Sequence, residues 1–164
     1  MILGFAHPAI VVQDLERAVQ FYCETFGFRV FSEANEGWRD NPAVDAATGL
    51  SNSDVTGCML AGHNCYLELF RFDAPSNKAP SPHTFDAAGL GLRHLCFYTD
   101  DVEQEYQRVL DLGGLPLGTP QKELGVTAVY LRDPEGNIIE LAEFPCESED
   151  LRNLPGISSL QGVS

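Results

Sequence analysis

The stretch Tyr130 to Glu143, Tyr-Leu-Arg-Asp-Pro-Glu-Gly-Asn-Ile-Ile-Glu-Leu-Ala-Glu, predicts a β-hairpin. Its middle, Asp133 to Asn137, is typical of a tight turn. Pro134 presets φ at the first turn position, and Gly136 tolerates a positive φ. The side chain of Asp133 can accept hydrogen bonds from the turn that it begins. Two strands are therefore expected to meet here.

Glu140 lies in an apolar row of the second predicted strand. The period of two places Ile138, Glu140, Ala142 and Phe144 on one face of that strand. An isolated buried charge costs far more free energy than a strand residue contributes. The carboxylate of Glu140 must therefore be neutral, hydrogen-bonded, paired or metal-bound.

Composition limits the class of protein. The chain has 164 residues, 44% hydrophobic and 21% charged, which predicts one domain or two small fused modules. The net charge of −14 repels phosphate backbones, so nucleic-acid binding is not expected. There is no apolar run of about 18 residues and no signal-peptide pattern at Met1 to Pro8, so we expect a cytoplasmic protein that does not enter a membrane.

The cysteines do not suggest a disulfide framework. They are odd in number and show no Cys-x-x-Cys spacing, which favours free thiols over disulfides or a thiolate zinc site. The residues are Cys23, Cys58, Cys65, Cys96 and Cys146.

Periodicity predicts two successive modules. In the first, a strand near residues 4–13 precedes an amphipathic helix from Leu15 to Phe26, which Asp14 caps and Gly27 ends. A long excursion at about 32–56 contains Trp38 and one short helical turn near 44–50. The remaining predicted strands of this module are 28–31, 57–60 and 64–72.

The second module follows a proline-rich connector. It opens with a strand at 92–98 and a helix that Asp100 or Asp101 caps, and Gly113 and Gly114 end that helix. Its later strands are predicted at 115–117, 126–131 and 137–144. The expected limits are 1–74 for the first module, 75–91 for the connector, 92–144 for the second module and 145–164 for a C-terminal tail.

The two modules repeat one pattern. An offset of 87 sets His7 on His94 and Asp14 on Asp101, and an offset of 72 sets Glu68 on Glu140. The separation from His to Glu is 61 in the first module and 46 in the second, and the difference of 15 fits inside the excursion. Each module then has the order β-α-β-β-β, with a His on its first strand and a Glu on its last.

Four passages resemble the glyoxalase, bleomycin-resistance and dioxygenase superfamily, also called vicinal oxygen chelate proteins. They are Phe-Ala-His-Pro-Ala-Ile-Val-Val-Gln-Asp-Leu-Glu-Arg-Ala-Val-Gln-Phe-Tyr with Phe-Gly-Phe, Tyr-Leu-Glu-Leu, Leu-Arg-His-Leu-Cys-Phe-Tyr and Leu-Arg-Asp-Pro-Glu-Gly-Asn-Ile-Ile-Glu-Leu. The resemblance spans roughly residues 4 to 144. It implies an α+β fold of two tandem βαβββ modules in a curved, partly closed mixed sheet, and a divalent metal held by His7, Glu68, His94 and Glu140.

Such a ligand set suits a catalytic metal. Two imidazoles and two carboxylates fit six-coordinate Ni²⁺, Co²⁺, Zn²⁺, Mn²⁺ or Fe²⁺ and leave two positions for water or substrate. A chelated small-molecule substrate could then lose the proton beside its carbonyl, and Glu140 or Glu68 is the expected base. We therefore expect a glyoxalase-like lyase or isomerase.

Within the lyase or isomerase class the substrate stays open, and two other functions stay open as well. Val11 stands where bacterial glutathione-dependent glyoxalases usually have an Arg, which counts against glutathione, whereas the sequence around Glu68 and Ser81-Pro82 is similar to methylmalonyl-CoA epimerases. An Fe²⁺ extradiol dioxygenase would need only His7, His94 and Glu140. A drug-binding protein of the bleomycin-resistance type would need no metal.

The remaining polar and aromatic candidates have ordinary explanations. His63 and His83 are expected at the surface, and Arg71 and Arg93 could meet an anionic substrate or pair with acids. The resemblance implies a homodimer. The aromatic residues are expected mainly in the core; they are Tyr66, Phe70, Phe72, Tyr98 and Tyr130.

Overall fold

The computed structural model describes residues 4–31, 37–76, 80–123 and 125–143. The chain divides into two compact units, Met1–Pro80 (unit 1) and Ser81–Ser164 (unit 2). Each unit has a five-stranded mixed sheet, and in each unit the first α-helix and four of the strands follow the predicted order β-α-β-β-β. The expectation of an α+β fold with two βαβββ modules is confirmed.

Unit 1 contains the strands and helices of the first module. Its elements are β1 (Ala9–Val11), α1 (Leu15–Phe26), β2 (Arg29–Val30), β3 (Trp38–Arg39), α2 (Pro42–Thr48), β4 (Asp54–Ala61) and β5 (Tyr66–Ala74).

The sheet of unit 1 has the order β1-β5-β4-β2. Strand β1 is parallel to β5, with Ala9 opposite Glu68, and β4 is antiparallel to β5, with Met59 opposite the same Glu68. Both β2 and β3 pair with β4, at Leu60 and Ala61 for β2 and at Asp54 and Val55 for β3.

Helix α1 covers one face of this sheet. The Asp14 carboxylate accepts a hydrogen bond from the Arg17 N–H, and Gly27 ends the helix at φ 68°, as the sequence predicts. Tyr22 from the helix and Leu60 and Leu69 from the sheet are fully buried. Because strand side chains alternate, Glu68 lies on the opposite face, away from this core.

Unit 2 repeats the arrangement without the α2 segment. A short 3-10 helix, Pro82–Thr84, precedes its strands. Its other elements are β6 (His94–Tyr98), α3 (Val102–Asp111), β7 (Leu115–Pro116), β8 (Gln121–Glu123), β9 (Val126–Arg132) and β10 (Ile138–Glu143).

The sheet of unit 2 has the order β6-β10-β9-β7, and β8 also pairs with β9. Strand β6 is parallel to β10, and β9 is antiparallel to it. Asp101 caps α3 through a hydrogen bond from the Gln104 N–H. Val102 and Val109 of the helix bury their side chains against Leu131 and Ile139.

The predicted turn between β9 and β10 is confirmed. The carboxylate of Asp133 is fully buried and accepts hydrogen bonds from the N–H groups of Glu135 and Asn137 and from the side-chain amide of Asn137. Gly136 adopts φ 95°, which favours glycine. Its neighbour Arg132 donates a hydrogen bond to the Gly136 carbonyl and fixes the hairpin from its other side.

Two predicted details need correction. The excursion at 32–56 holds a strand, β3, and a helix longer than the expected single turn, because Asn41 caps α2 and Pro42 occupies its first turn. Strand β8 has no counterpart in the prediction. Phe144 and the tail at 145–164 lie outside the described residues.

In the part of the chain that the structure describes, no helix is both long enough and apolar enough to span a bilayer.

Candidate metal centre

In unit 1, His7 and Glu68 face each other at the edge of the sheet. His7 lies two residues before β1 rather than on the strand as expected, and the Glu68 N–H donates to the Pro8 carbonyl, which aligns the start of β1 with β5. The Nε2 atom of His7 lies 3.2 Å from Oε2 of Glu68. The imidazole is about one third exposed and the carboxylate 16% exposed.

In unit 2, His94 and Glu140 form the equivalent contact. The first residue of β6 is His94, and Glu140 lies on the neighbouring parallel strand β10. Their Nε2 and Oε2 atoms are 3.0 Å apart, and the carboxylate is 20% exposed. The structure thus brings each predicted His to the predicted Glu of its own unit, in the same geometry twice.

The spacing of these donor atoms fits a metal ion as well as a shared proton. Two ligand atoms bound at right angles, each about 2.1 Å from an ion, are separated by about 3 Å. Neutral imidazole nitrogen and carboxylate oxygen are also the donor types that first-row divalent ions accept. Within the described residues, no single group of three or more His, Cys, Asp or Glu side chains has metal-binding geometry. Each pair by itself therefore supplies two ligands.

Polar side chains surround the pair of unit 2. Tyr130 lies opposite Glu140 on β9, and its ring centroid is 5.0 Å from that of His94. Cys96 lies opposite Glu140 on β6. Burial first, and then the charge of Glu140 and a hydrogen bond to it, raise the pKa of the Cys96 thiol to about 12. Burial and the same charge also raise the pKa of Tyr130.

Sequence reasoning missed Cys96 as a member of this site. The sequence pattern places Cys96 among the free thiols and Tyr130 mainly in the core. The available signal was the period of two, which sets Cys96 on the same face of β6 as His94. The register that brings the thiol to Glu140 depends on a strand more than 40 residues away, which no local pattern specifies.

Apolar side chains surround the pair of unit 1. Ala9 and Met59 lie opposite Glu68, where Cys96 and Tyr130 lie opposite Glu140. Along β5, Phe70 and Phe72 follow Glu68 on the same face, and both rings contact the ring of Trp38. Contrary to the expectation for Phe70 and Phe72, these rings are only half-buried and lie outside the helix-covered core.

The other candidates take the positions expected of ordinary residues. His63 and His83 are exposed, and His83 packs over Gly136. Arg71 pairs with Asp73, with 3.2 Å between Nη2 and Oδ2. The guanidinium of Arg93 lies 5.1 Å above the centre of the Phe85 ring.

Comparison with known proteins agrees with the fold and with the repeat. The family model for the Glyoxalase/Bleomycin resistance protein/Dioxygenase superfamily matches residues 4–141. The chain is 29% identical over 150 residues to the 2-epi-5-epi-valiolone epimerase of an Actinomyces species, covering 85% of this chain and 78% of that protein. It is 28% identical over 101 residues to the uncharacterized protein YaeR of Escherichia coli strain K12, covering 59% of this chain and 61% of that protein's length.

A crystal structure shows the same architecture. The glyoxalase family protein from Bacillus cereus superposes with a TM-score of 0.76 at 26% sequence identity, covering 87% of this chain and 95% of that one.

Proposed function

Because this chain belongs to the Glyoxalase/Bleomycin resistance protein/Dioxygenase superfamily, we propose that it is a metal-dependent lyase or isomerase. Its reaction transfers a proton at the carbon beside a carbonyl of a small oxygenated substrate. The observation that best supports the proposal is the repeated His–Glu contact, at 3.2 Å in unit 1 and 3.0 Å in unit 2. The similarity to an epimerase supports it too, since an epimerase must break and re-form a bond at one stereocentre.

In this proposal, His7, Glu68, His94 and Glu140 together bind one divalent ion, chosen from Ni²⁺, Co²⁺, Zn²⁺, Mn²⁺ and Fe²⁺. Members of the superfamily often bind divalent metals. When bound, such an ion supplies a Lewis acid that polarises the substrate carbonyl. The imidazoles and carboxylates would hold the ion so that two neighbouring oxygen atoms of the substrate could reach it in one orientation.

Glu140 or Glu68 is the proposed base. Both carboxylates lie on a sheet face that is not covered by the unit's helix, so both are accessible to a substrate. Their surroundings differ, since a phenol and a thiol flank Glu140 whereas Met59 and Ala9 flank Glu68. A Glu→Gln change keeps the shape of each side chain but removes its ability to accept a proton. The base is the position where Gln abolishes proton transfer even after enough metal is added to refill the site.

Deuterium exchange tests the reaction. The metal-loaded protein is incubated in D₂O with hemithioacetals of α-keto aldehydes, with 2-methyl-branched acyl thioesters and with catechols. We expect metal-dependent incorporation of deuterium beside a carbonyl in one of the first two classes. Oxygen consumption with a catechol and Fe²⁺, without such exchange, would instead identify a ring-cleaving dioxygenase. Tight ligand binding by metal-free protein without turnover would identify a drug-binding protein.

We also propose that the protein is a homodimer, since each unit supplies half of the ligand set. Light scattering should give twice the chain mass of 18.0 kDa. Mixing His7→Ala chains with His94→Ala chains then shows whether one metal site takes its two His–Glu pairs from one chain or from two. Metal binding is restored in the mixture if one site takes its pairs from two chains, and it is not restored if one chain supplies both. A metal-loaded monomer at micromolar concentration would contradict the dimer.

A further inference from the structure

Three aromatic side chains, Trp38, Phe70 and Phe72, form what we call the aromatic face of unit 1. We propose that this face binds an aromatic ring carried by the substrate next to its chelating oxygens. The inference rests on the proposed function and specifies its substrate class as an aryl-substituted α-oxo acid or related aryl compound with two neighbouring oxygens.

The aromatic face adjoins the His7–Glu68 pair. Glu68, Phe70 and Phe72 alternate along β5 and therefore share one face of the sheet. The Trp38 ring centroid lies 5.4 Å from that of Phe70 and 6.0 Å from that of Phe72, both nearly perpendicular. All three residues are half-buried, and Phe70 lies two residues from Glu68 on the same face of β5.

The indole of Trp38 is held in one orientation. Its Nε1–H donates a 2.6 Å hydrogen bond to Oγ of Ser53, which is itself 2% exposed. The Ser53 hydroxyl donates to the Asp45 carboxylate, which also accepts the N–H groups of Asn52 at 2.7 Å and of Ser53 at 3.1 Å. A ring fixed in this way loses little conformational entropy when a ligand packs on it.

The close pairing of β3 with β4 also depends on Gly37. A Cβ atom at this position would lie 2.0 Å from the Val55 carbonyl oxygen, so any larger residue would push β3 and its neighbour Trp38 away. The backbone as well as the hydrogen bonds therefore specifies where the indole lies.

The segment that supplies Trp38 contributes little to the core. No residue of α2, all of which the structure describes, is buried. The second module lacks the 15 residues that contain this segment, and Ala142 stands at the position equivalent to Phe70. Unit 2 forms the same fold without these features. The aromatic face is thus an addition to the fold, and its place beside Glu68 explains it as a contact for substrate.

Rings pack on rings with a preference that aliphatic groups do not share, because the negative face of one ring attracts the positive edge of another. Benzoylformate and pyruvate present a phenyl or a methyl group on the same chelating unit, and the aromatic variants then separate ring packing from the larger apolar area of the phenyl. Both present the same α-oxo acid oxygens and the same single negative charge, so the net charge of −14 affects them equally. They differ only in phenyl against methyl.

The experiment measures the dissociation constants of both compounds by calorimetry on Co²⁺-loaded protein. We expect benzoylformate to bind at least about tenfold more tightly than pyruvate, in line with ring contacts of this kind. Because Trp38 is the single tryptophan, its fluorescence lifetime should shorten with benzoylformate and remain unchanged with pyruvate. Phe70→Ala and Trp38→Leu should reduce the preference to less than about threefold while leaving the pyruvate constant within twofold.

Phe31→Ala is the matched control. Phe31 is an exposed ring that contacts Tyr66 at 5.2 Å, on the other side of Glu68 along β5, and its removal should keep the full preference. Equal binding of the two compounds, or a preference that survives both aromatic variants, overturns the inference. Failure of both compounds to bind also overturns it. Metal content of the same samples separates the two proposals, since a chain without bound Co²⁺ contradicts the proposed function itself.

Discussion

The Oε2 atom of Glu140 lies 3.0 Å from the Nε2 atom of His94, across the parallel strands β6 and β10. The same two residue types face each other at 3.2 Å across β1 and β5. We propose that this recurring contact marks metal ligands. Its consequences can be measured at each position.

The first prediction concerns metal content. Wild-type protein purified without chelator should hold about one divalent ion per chain. His94→Ala should nearly abolish binding because it removes a donor atom, and Glu140→Gln should lower it about tenfold or more because a neutral amide oxygen is a weaker donor than a carboxylate. His7→Ala should match His94→Ala, since the repeat gives them equal roles. Elemental analysis measures all four proteins.

His83→Ala serves as the control for this series. Its imidazole is exposed and packs over Gly136, so its removal should leave metal content unchanged. Full stoichiometry in the His94 variant would refute the assignment of ligands.

The second prediction concerns the reactivity of Cys96. Cys96 is exposed as a residue, but desolvation of its sulfur and the neighbouring Glu140 raise its pKa from 9.0 to about 12 in the metal-free protein, so the thiol is mostly protonated at pH 8.5. Only the thiolate alkylates rapidly. Iodoacetamide at pH 8.5 should therefore label Cys96 at least about tenfold more slowly than an unfolded-chain cysteine, whose pKa is near 8.5. Peptide mass spectrometry resolves the site.

Glu140→Gln tests the cause of this effect. Removing the charge should speed labelling of Cys96 only in part, because burial is the larger contribution. The raised pKa also makes stability depend on pH. Above about pH 9 the Cys96 thiol ionises in the unfolded chain but not yet in the folded protein, so the free energy of unfolding falls as the pH rises. Fast labelling of Cys96 in the wild type would show that the thiol is not desolvated.

The third prediction concerns the orientation of Trp38. Hydrogen bonds from Ser53, first through its hydroxyl, lower the pKa of Asp45 from its ordinary value of 3.8. The carboxylate therefore accepts these bonds at every pH above that value and loses them as the pH falls through the lowered pKa. The emission maximum of Trp38 should be constant from pH 8 to pH 4 and shift to longer wavelength only below.

Asp45→Asn provides the comparison, because its amide cannot titrate in this range. The variant should show no transition below pH 4 of the kind expected for the wild type. Ser53→Ala should shift the emission at neutral pH, since it removes the acceptor of the indole N–H. A wild-type transition near pH 6 would assign the environment of Trp38 to another group.

The fourth prediction concerns the buried Arg132, which joins the 3-10 helix segment to the β9–β10 hairpin. Its guanidinium donates to the carbonyls of Pro82, Phe85 and Gly136. Arg132→Met keeps the aliphatic volume but leaves these acceptors without their donor. We expect the free energy of unfolding to fall by about 3 kcal/mol in urea denaturation.

Arg108→Met is the matched change at a more exposed arginine. Arg108 forms an ion pair with Glu105 one turn away on α3, and such surface pairs contribute at most about 1 kcal/mol. Equal losses in the two variants would contradict a special role for Arg132.

Local chemistry made much of the fold predictable. Asp133 and Gly136 specify a turn within five residues, and Asp14 and Asp101 cap helices through neighbours three positions away. The His and Glu positions followed from the repeat. Strand β8 was missed because Gln121 to Glu123 shows no apolar alternation, and its pairing with β9 comes from the sheet edge.

Parts of the site depend on distant partners and could not be predicted. Trp38 reaches Ser53 across 15 residues and Phe70 across 32, and neither contact leaves a periodic pattern. The neighbours of Glu140 follow from strand register, which the chain settles only when both strands have formed.

Helix α2 has no buried residue, although the segment around it supplies the indole that packs on Phe70. Under the proposed role of the aromatic face, the chain separates the residues that make it fold from those that select a ligand. Residues 38–53 could therefore change with little effect on the stability of the fold. New substrate preferences could evolve, or be engineered, by exchanging these residues alone. The repeat that created two similar halves would then have left one of them free to diversify.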